Sequence, residues 1–356
     1  MRRTTKIAAV TVVACLALTG CGKKSDSGTT SGATADICKT AKGSGPKIGL
    51  AYDVGGRGDQ SFNDAAYVGV SKAVTDFSGT CLEGAAQDGE AESAREDRLT
   101  QMAENGATAI IGVGFAYSDA VNAVAPNFPN VSFAVVDGFD PDKKPNKNVA
   151  YFSFAANESS FLVGAAAALT TKTKQVGFVG GVHVDLIKSF EAGYTAGVHA
   201  VDPSIKVDVA YIEESKLSGF NDPAGGKTAA AGEFDKGADV VYHAAGASGS
   251  GVFDAAVEAG KGKWAIGVDS DQYLTATAAQ KPHILTSALK RVDVASYDFI
   301  KSVNDGKPNT SYVTYDLKNG GVGYATSGGF VDSIKSKIDA YAKQIETGQI
   351  KVPTTP

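Results

Sequence analysis

Short apolar runs recur along this chain with helix-length segments between them. KIGLAY (47–52), AIIGV (109–113), VSFAVV (131–136) and NVAYFSF (148–154) form a first series. QVGFVG (175–180), KVDVAYI (206–212), ADVVYH (238–243) and KWAIGV (263–268) form a second. Most are continuously apolar rather than alternating, the pattern of strands buried on both faces. Such strands, alternating with helices, predict parallel sheets covered on both sides, and two series predict two doubly wound α/β lobes. The intervening segments read as capped amphipathic helices. Ser61-Phe62-Asn63-Asp64 has the S-x-x-D spacing of a capping box and is followed by Ala65, Ala66, Val68, Val70, Ala73 and Val74. Asn157 opens an Ala-rich helix just after the fourth strand, where the first crossover between lobes is expected. A strand at 283–290, a helix at 291–303, a late strand at 311–317 and a final helix at 332–347 follow the second series. This order assigns 45–155 and 288–310 to the first lobe, and 156–287 and 311–350 to the second.

The N-terminus departs from that rhythm. Arg2, Arg3 and Lys6 precede an apolar run, Ile7 to Leu18, that ends in Leu18-Thr19-Gly20-Cys21. A basic start, a short apolar stretch and small residues before a cysteine make residues 1–20 a secretory signal, too short for a membrane span. The cysteine has the place of a bacterial lipobox cysteine, so Cys21 is expected to carry lipid and to begin the mature protein. Arg2-Arg3 leaves both the general and the twin-arginine export routes open. Residues 21–44 are expected to be a lipidated flexible tether, since Gly22 to about Ala35 is too polar to fold. Export brings an oxidising compartment, in which Cys38 and Cys81 are the candidate disulfide. Charge narrows the partners: from Cys21 onward the chain carries 31 basic and 39 acidic residues, a net charge of −8. Such a body is repelled by phosphate backbones, so no nucleic-acid partner is expected. No CxxC or His/Cys cluster points to a metal, the four histidines are scattered, and no cofactor is implied.

Ligands of open parallel sheets bind beyond the carboxyl ends of the strands. The residues there are Asp53, Gly114-Phe115, Asp137, Gly180-Gly181, Ala245-Gly246, Asp269 and Lys290. Carboxylates, a lysine and glycines thus recur on one side of both sheets, suited to hydroxyl and N–H donors on a ligand. The glycine loop 55–58 lacks the Lys-Ser/Thr of a phosphate loop, and Asp53 and Asp59 would repel phosphate. Arg57-Gly58-Asp59 spells an adhesion tripeptide too short to be specific, and Gly246 to Ser250 lacks the last glycine of a nucleophile elbow. Asp269-Ser270-Asp271 reads as a metal-binding pair or, more commonly, as a strand end beside a helix cap. Phe62, at a helix start, reads either as a local core residue or as a ligand-facing ring. Phe115, Phe139, Phe190 and Phe220 are the other aromatics that could form an opposing wall.

Eight motifs occur in order: DVGGRGDQSFNDAA (53–66), IGVGFAYSDA (111–120), NESSFLVGAAAAL (157–169), GFVGGVHVDLIKSFEAGYTAG (177–197), FNDPAGGKTAA (220–230), ADVVYHAAGASGSGVFDAA (238–256), GVDSDQ (267–272) and TSALKRVD (286–293). Together they resemble the basic membrane protein (BMP) family, the purine nucleoside receptor A-like lipoproteins that serve ABC-type importers as solute-binding components. The resemblance runs from about residue 47 to about 330. It implies a type I periplasmic-binding-protein fold, two lobes joined by three crossovers and closing like a hinge on a nucleoside. It also implies roles for individual residues. Asp53 would reach the nucleobase, with Asn63 and Asp137 as polar neighbours. Phe62 and Phe220 would sandwich the base from opposite lobes, and Gly246, Asp269 and Lys290 would hold the ribose.

The implied protein is not an enzyme. It acts as a monomer at the outer face of the bacterial cytoplasmic membrane and hands its ligand to a permease with a separate ATPase. Physical chemistry agrees with a nucleoside: a planar base gains from two ring faces, and a diol from a carboxylate that accepts both O–H groups. Three alternatives stay open. A sugar would use Asp269 and Lys290 equally well, a signalling receptor would share the fold, and a nucleoside hydrolase would need an Asp-rich metal cluster that the N-terminal strand lacks.

Overall fold

The computed structural model describes residues 36–140, 144 and 146–356. Among them the apolar runs assemble into two six-stranded sheets. The first contains β1 (Lys47–Tyr52), β2 (Thr80–Ala85), β3 (Ala109–Val113), β4 (Ser132–Val136) and β5 (Val149–Phe154). The second contains β6 (Gln175–Val182), β7 (Lys206–Glu213), β8 (Val240–Ala244), β9 (Trp264–Asp269) and β10 (Ile284–Lys290). Two late strands complete them, β11 (Tyr312–Tyr315) in the first and β12 (Val322–Tyr324) in the second. The orders are β11-β5-β4-β3-β1-β2 and β12-β10-β9-β8-β6-β7. Only the β10–β12 ladder is antiparallel; the other nine run parallel. In each sheet the order reverses beside one strand, β1 in the first and β6 in the second. Such switch points are where doubly wound sheets open a crevice for ligands.

The chain crosses between lobes three times: after β5, after β10 and after β11. Following β10, the helix Val292–Asn304 returns to the first lobe, where Val292, Ala295, Phe299 and Ile300 share a core with Ile48, Leu50 and Ile111. Two details of the sequence-based partition change. β10 stays in the second sheet as far as Lys290, and β11, expected in the second lobe, pairs with β5 in the first. Aromatic side chains account for the second difference. Tyr312 stacks on Tyr151 with centroids 4.9 Å apart, and Tyr315 stacks on Phe154 at 5.0 Å and meets Phe152 edge-on at 5.9 Å. Cross-strand aromatic pairs of this kind fix partner and register. β2 and β12 escaped the sequence pattern. β2, TCLEGA, is an edge strand with one residue in six fully buried, and β12 is three residues long.

The N-terminal arm also differs from expectation. The signal sequence, Cys21 and the tether as far as residue 35 lie outside the described residues, but from Asp36 the chain is docked rather than free. Cys38 and Cys81 are bonded with S–S 2.00 Å, which ties a short helix, Ile37–Thr40, to β2. The backbone N–H of Ile37 donates to the Tyr67 hydroxyl at 3.1 Å, and Arg57 pairs with Asp36 at 3.2 Å while its guanidinium lies 3.6 Å above the Tyr67 ring. Arg57 is thus committed locally, and Asp59 is buried, so the Arg-Gly-Asp tripeptide is not presented for adhesion. Among the described residues no helix is long and apolar enough to cross a membrane.

Two measurements test this account of stability. The disulfide joins residues 43 apart, and closing a loop of that size restricts the unfolded chain by about 4 kcal/mol. Serine at both Cys38 and Cys81 is expected to lower the unfolding free energy by about 2–4 kcal/mol, read from urea titrations; an unchanged midpoint would contradict the docking of the arm. The second concerns His243, fully buried on β8 with its ring edge-on to Phe253, where burial pushes its pKa down to about 4. The unfolded imidazole binds its proton near 6.5. The stabilisation from keeping it neutral is therefore complete above that pH and lost as pH falls from about 6.5 to about 4, on the order of 3 kcal/mol in all. The stability gap between the wild type and His243→Asn should narrow on going from pH 7.5 to 5; a constant gap would contradict it.

Candidate functional site

All eight residues singled out from the sequence line one cleft between the sheets' carboxyl ends, four from each lobe. Its open space is about 560 Å³, counted out to its solvent mouth. From the first lobe come Asp53, at the end of β1, Phe62 and Asn63, in the first turn of the helix Phe62–Asp76, and Asp137, after β4. The Asp53 N–H donates to Asn63 Oδ1 at 3.0 Å, which leaves the Asn63 NH₂ as a donor. Gly114, at φ +101°, lets Asp53 in: a Cβ there would stand 2.4 Å from the Asp53 Oδ2. The helix itself is capped differently from the sequence reading. Ser61 makes no side-chain cap; the Asp59 carboxylate accepts from the N–H groups of Ser61 (3.0 Å), Asn63 (2.8 Å) and Asp64 (3.1 Å). A carboxylate at a helix N-terminus satisfies orphan donors and meets the dipole, so it outcompetes a neutral hydroxyl.

The second lobe contributes Phe220, Gly246, Asp269 and Lys290. Phe220 ends a short 3₁₀ turn, and Gly181 makes the room its ring needs, because a Cβ at that glycine would meet Phe220 Cδ1 at 2.5 Å. Phe62 and Phe220 thus face the same space from opposite lobes. Phe115 and Phe190 also line it, whereas Phe139 is 48% exposed and stands apart from the lining.

The lobes meet directly at this cleft. Lys290 Nζ is ion-paired with Asp137 of the other lobe, both side chains being almost wholly buried. The same ammonium lies 4.7 Å from the Phe62 ring centre, 5.1 Å from Phe154 and 5.7 Å from Phe190, an aromatic surround that stabilises a desolvated cation. Asp137, expected beside the base, is therefore engaged with Lys290. Across the same seam, Ser61 Oγ donates to Asp269 Oδ2 at 2.8 Å.

Burial governs the acids. It pushes Asp53 up to about 6, with Asp137 adding to the rise while the Val54 N–H and Arg95 oppose it. Asp59 is raised to about 6 by burial in spite of its three N–H donors, and Asp269 is raised by burial against the pull of Lys290 and Ser61. Acids so poised accept hydrogen bonds from neutral polar ligands and would repel an anion. In the Asp269-Ser270-Asp271 run, Asp269 ends β9, and Asp271, just before the short helix Gln272–Thr275, accepts from Ser327 at 2.6 Å without capping that helix by its side chain. Among the described residues one group, Asp36 with Glu83, has cation-like spacing only together with Cys38, and that sulfur is committed to the disulfide.

Sequence reasoning missed two parts of the lining. Leu186 and Ile187, with Phe190, present the first turns of the helix Asp185–Val201 to the cleft. Their signal was available, an apolar i, i+1, i+4 group directly after the Gly180-Gly181 strand end, but it is also the signal of a core-facing helix. Val54, Asp59, Ala244, Ala247 and Val268 complete the wall beside residues already identified.

Comparison with known proteins bears on the fold and the family. The family model described as ABC transporter substrate-binding protein, PnrA-like, matches residues 47–355. A relative from Lactococcus lactis subsp. cremoris, named ABC transporter nucleoside-binding protein BmpA, is 34% identical over 99% of each chain. The CD4+ T-cell-stimulating antigen of Listeria monocytogenes is 35% identical over 87% of this chain and 88% of its own. Among solved structures, an ABC transporter system solute-binding protein from Aeropyrum pernix K1 superposes with a TM-score of 0.75 at 27% identity, covering 87% of this chain and 93% of that one. These solute-binding proteins share the two-sheet architecture, the type I periplasmic-binding-protein fold. The chain belongs to the Bmp family of PnrA-like ABC transporter substrate-binding proteins, a family of binding proteins rather than enzymes.

Proposed function

We propose that this protein captures nucleosides, purine nucleosides foremost, between its lobes. We further propose that it is held by lipid on Cys21 at the outer face of the bacterial cytoplasmic membrane and delivers its ligand, as a monomer, to a permease with a separate ATPase. One observation carries the ligand assignment. Phe62 and Phe220, from opposite lobes, line one cleft that also holds two groups of polar side chains, Asp53 with Asn63 and Asp269 with Lys290. Rings on two sides suit a planar base, and acids raised by burial suit the N–H and O–H donors of a nucleoside. A relative named as nucleoside-binding supports the same reading. A free sugar would find the same polar groups and could pack on one ring, but it lacks the planar base that would stack on both, which favours the nucleoside.

In this reading Asp53, with Asn63 beside it, takes the base. Asp269 and Lys290 take the ribose, with Gly246 giving backbone access. Asp137 acts through Lys290 by holding its charge. The lobes move about the three crossovers, and an occupied cleft favours the closed form because only that form offers the ligand contacts from both sides.

A thermal-shift series of the soluble body (residues 36–356) with inosine, guanosine, adenosine, cytidine, hypoxanthine and ribose tests the assignment. At about a hundred-fold excess over Kd, a binder adds about 2.7 kcal/mol of apparent stability. Nucleosides are expected to stabilise well beyond free ribose, and no shift with any nucleoside would overturn the reading. Phe62→Ala should weaken inosine binding by about 1–3 kcal/mol, roughly five- to 150-fold in Kd, measured at a temperature well below the Tm of the variant. Acid should matter too. Since the Asp53 pKa is raised to about 6, its carboxylate gains a proton as pH falls through that value and stops accepting from a base N–H. Inosine affinity by calorimetry should fall below an inflection near pH 6, and Asp53→Asn should weaken binding at pH 7.5 and flatten that inflection, leaving only the part due to Asp59 and Asp269.

A further inference from the structure

Ser61 holds the position and spacing of a helix cap, yet its hydroxyl does not cap. With Asp59 satisfying the helix N-terminus, the Ser61 Oγ is turned to the other lobe. There it donates to Asp269 Oδ2 at 2.8 Å, with the Val268 carbonyl oxygen at 3.1 Å. The second lobe reciprocates: Ser270 Oγ donates to the Ser61 carbonyl oxygen at 2.9 Å. Ser61 is wholly buried. Residues more than two hundred positions apart, on separate lobes, therefore form a two-way bond at the carboxylate assigned to the sugar.

We infer that Ser61 and Ser270 form a closure latch, and that Ser61 sets how long a ligand stays bound without being a ligand contact itself. The inference rests on the cleft being the nucleoside site. Its logic is that of a shared acceptor. In the closed form Asp269 receives a donor from Ser61 on Oδ2, which restrains its rotamer and leaves its second oxygen for a ligand hydroxyl. When the lobes part, Ser61 withdraws and Asp269 loses both the donor and the constraint. Closing thus prepares the carboxylate, and opening releases it. Hydrogen bonds to a charged group, desolvated in the closed state, are the strong kind. They form only after the lobes meet, so they act on dissociation rather than on encounter.

The experiment uses Ser61→Ala, Ser270→Ala and Ser270→Thr in the protein with its disulfide intact. Stopped-flow displacement gives association and dissociation rates for inosine, and small-angle scattering gives the size of the unliganded protein. Expected are a rise of about tenfold in the dissociation rate for Ser61→Ala, a smaller rise for Ser270→Ala, and near-wild-type behaviour for Ser270→Thr, which keeps the hydroxyl. Association rates should stay within about twofold, and unliganded Ser61→Ala should have a larger radius of gyration than wild type. Unchanged dissociation in both alanine variants, or association slowed as much as dissociation is hastened, would overturn the latch. If wild type binds no nucleoside, the ligand assignment fails separately and scattering decides the latch: a wider Ser61→Ala supports it, and an unchanged radius overturns it.

Discussion

A buried ammonium must find a counter-charge, and in this protein the lysine and its partner stand on different lobes. Lys290 ends β10 and Asp137 follows β4, and the two side chains, paired across the seam, are both almost completely withdrawn from water. Burying one charge without its partner costs about 3–5 kcal/mol. The two lobes therefore cannot be designed independently: the charge at the end of one sheet fixes what must stand at the end of the other. The Phe62, Phe154 and Phe190 rings all lie close to the ammonium, so the aromatic lining and the ion pair are parts of one arrangement.

The same constraint explains the acids. A cleft that seals itself at the seam raises the carboxylates inside it, and Asp53, Asp59 and Asp269 all shift upward with burial as the leading cause. Each is then held by donors from its surroundings: Val54 for Asp53, three backbone N–H groups for Asp59, Ser61 for Asp269. Glycines complete the arrangement by absence. Gly114 and Gly181 leave the spaces that an aspartate and a phenylalanine need, so two site side chains depend on residues that contribute no side chain at all.

Much of this was legible in the sequence because continuous apolar runs have sharp ends. Once β1, β4, β9 and β10 were recognised, Asp53, Asp137, Asp269 and Lys290 followed from the rule that parallel sheets bind beyond their carboxyl edges. What was not legible shares a different character. Ser61 and Asp59 both carry capping signals for the same helix, and the direction in which the chain enters the first turn decides between them. β11 has a strand's composition but nothing local that names its sheet; Tyr151 and Phe154, some 160 residues earlier, do that. Leu186 and Ile187 look like core until a facing lobe turns their surface into a wall.

The docked arm has a mechanical consequence. Any tension on the chain upstream of Asp36 enters the body through the Cys38–Cys81 covalent bond and is delivered to β2, at the outer edge of the first sheet. That route reaches the second lobe only through the three backbone crossovers and the contacts at the cleft, the Lys290–Asp137 pair and the Ser61–Asp269 and Ser270–Ser61 hydrogen bonds among them. A pull from that side would load the first lobe before the second.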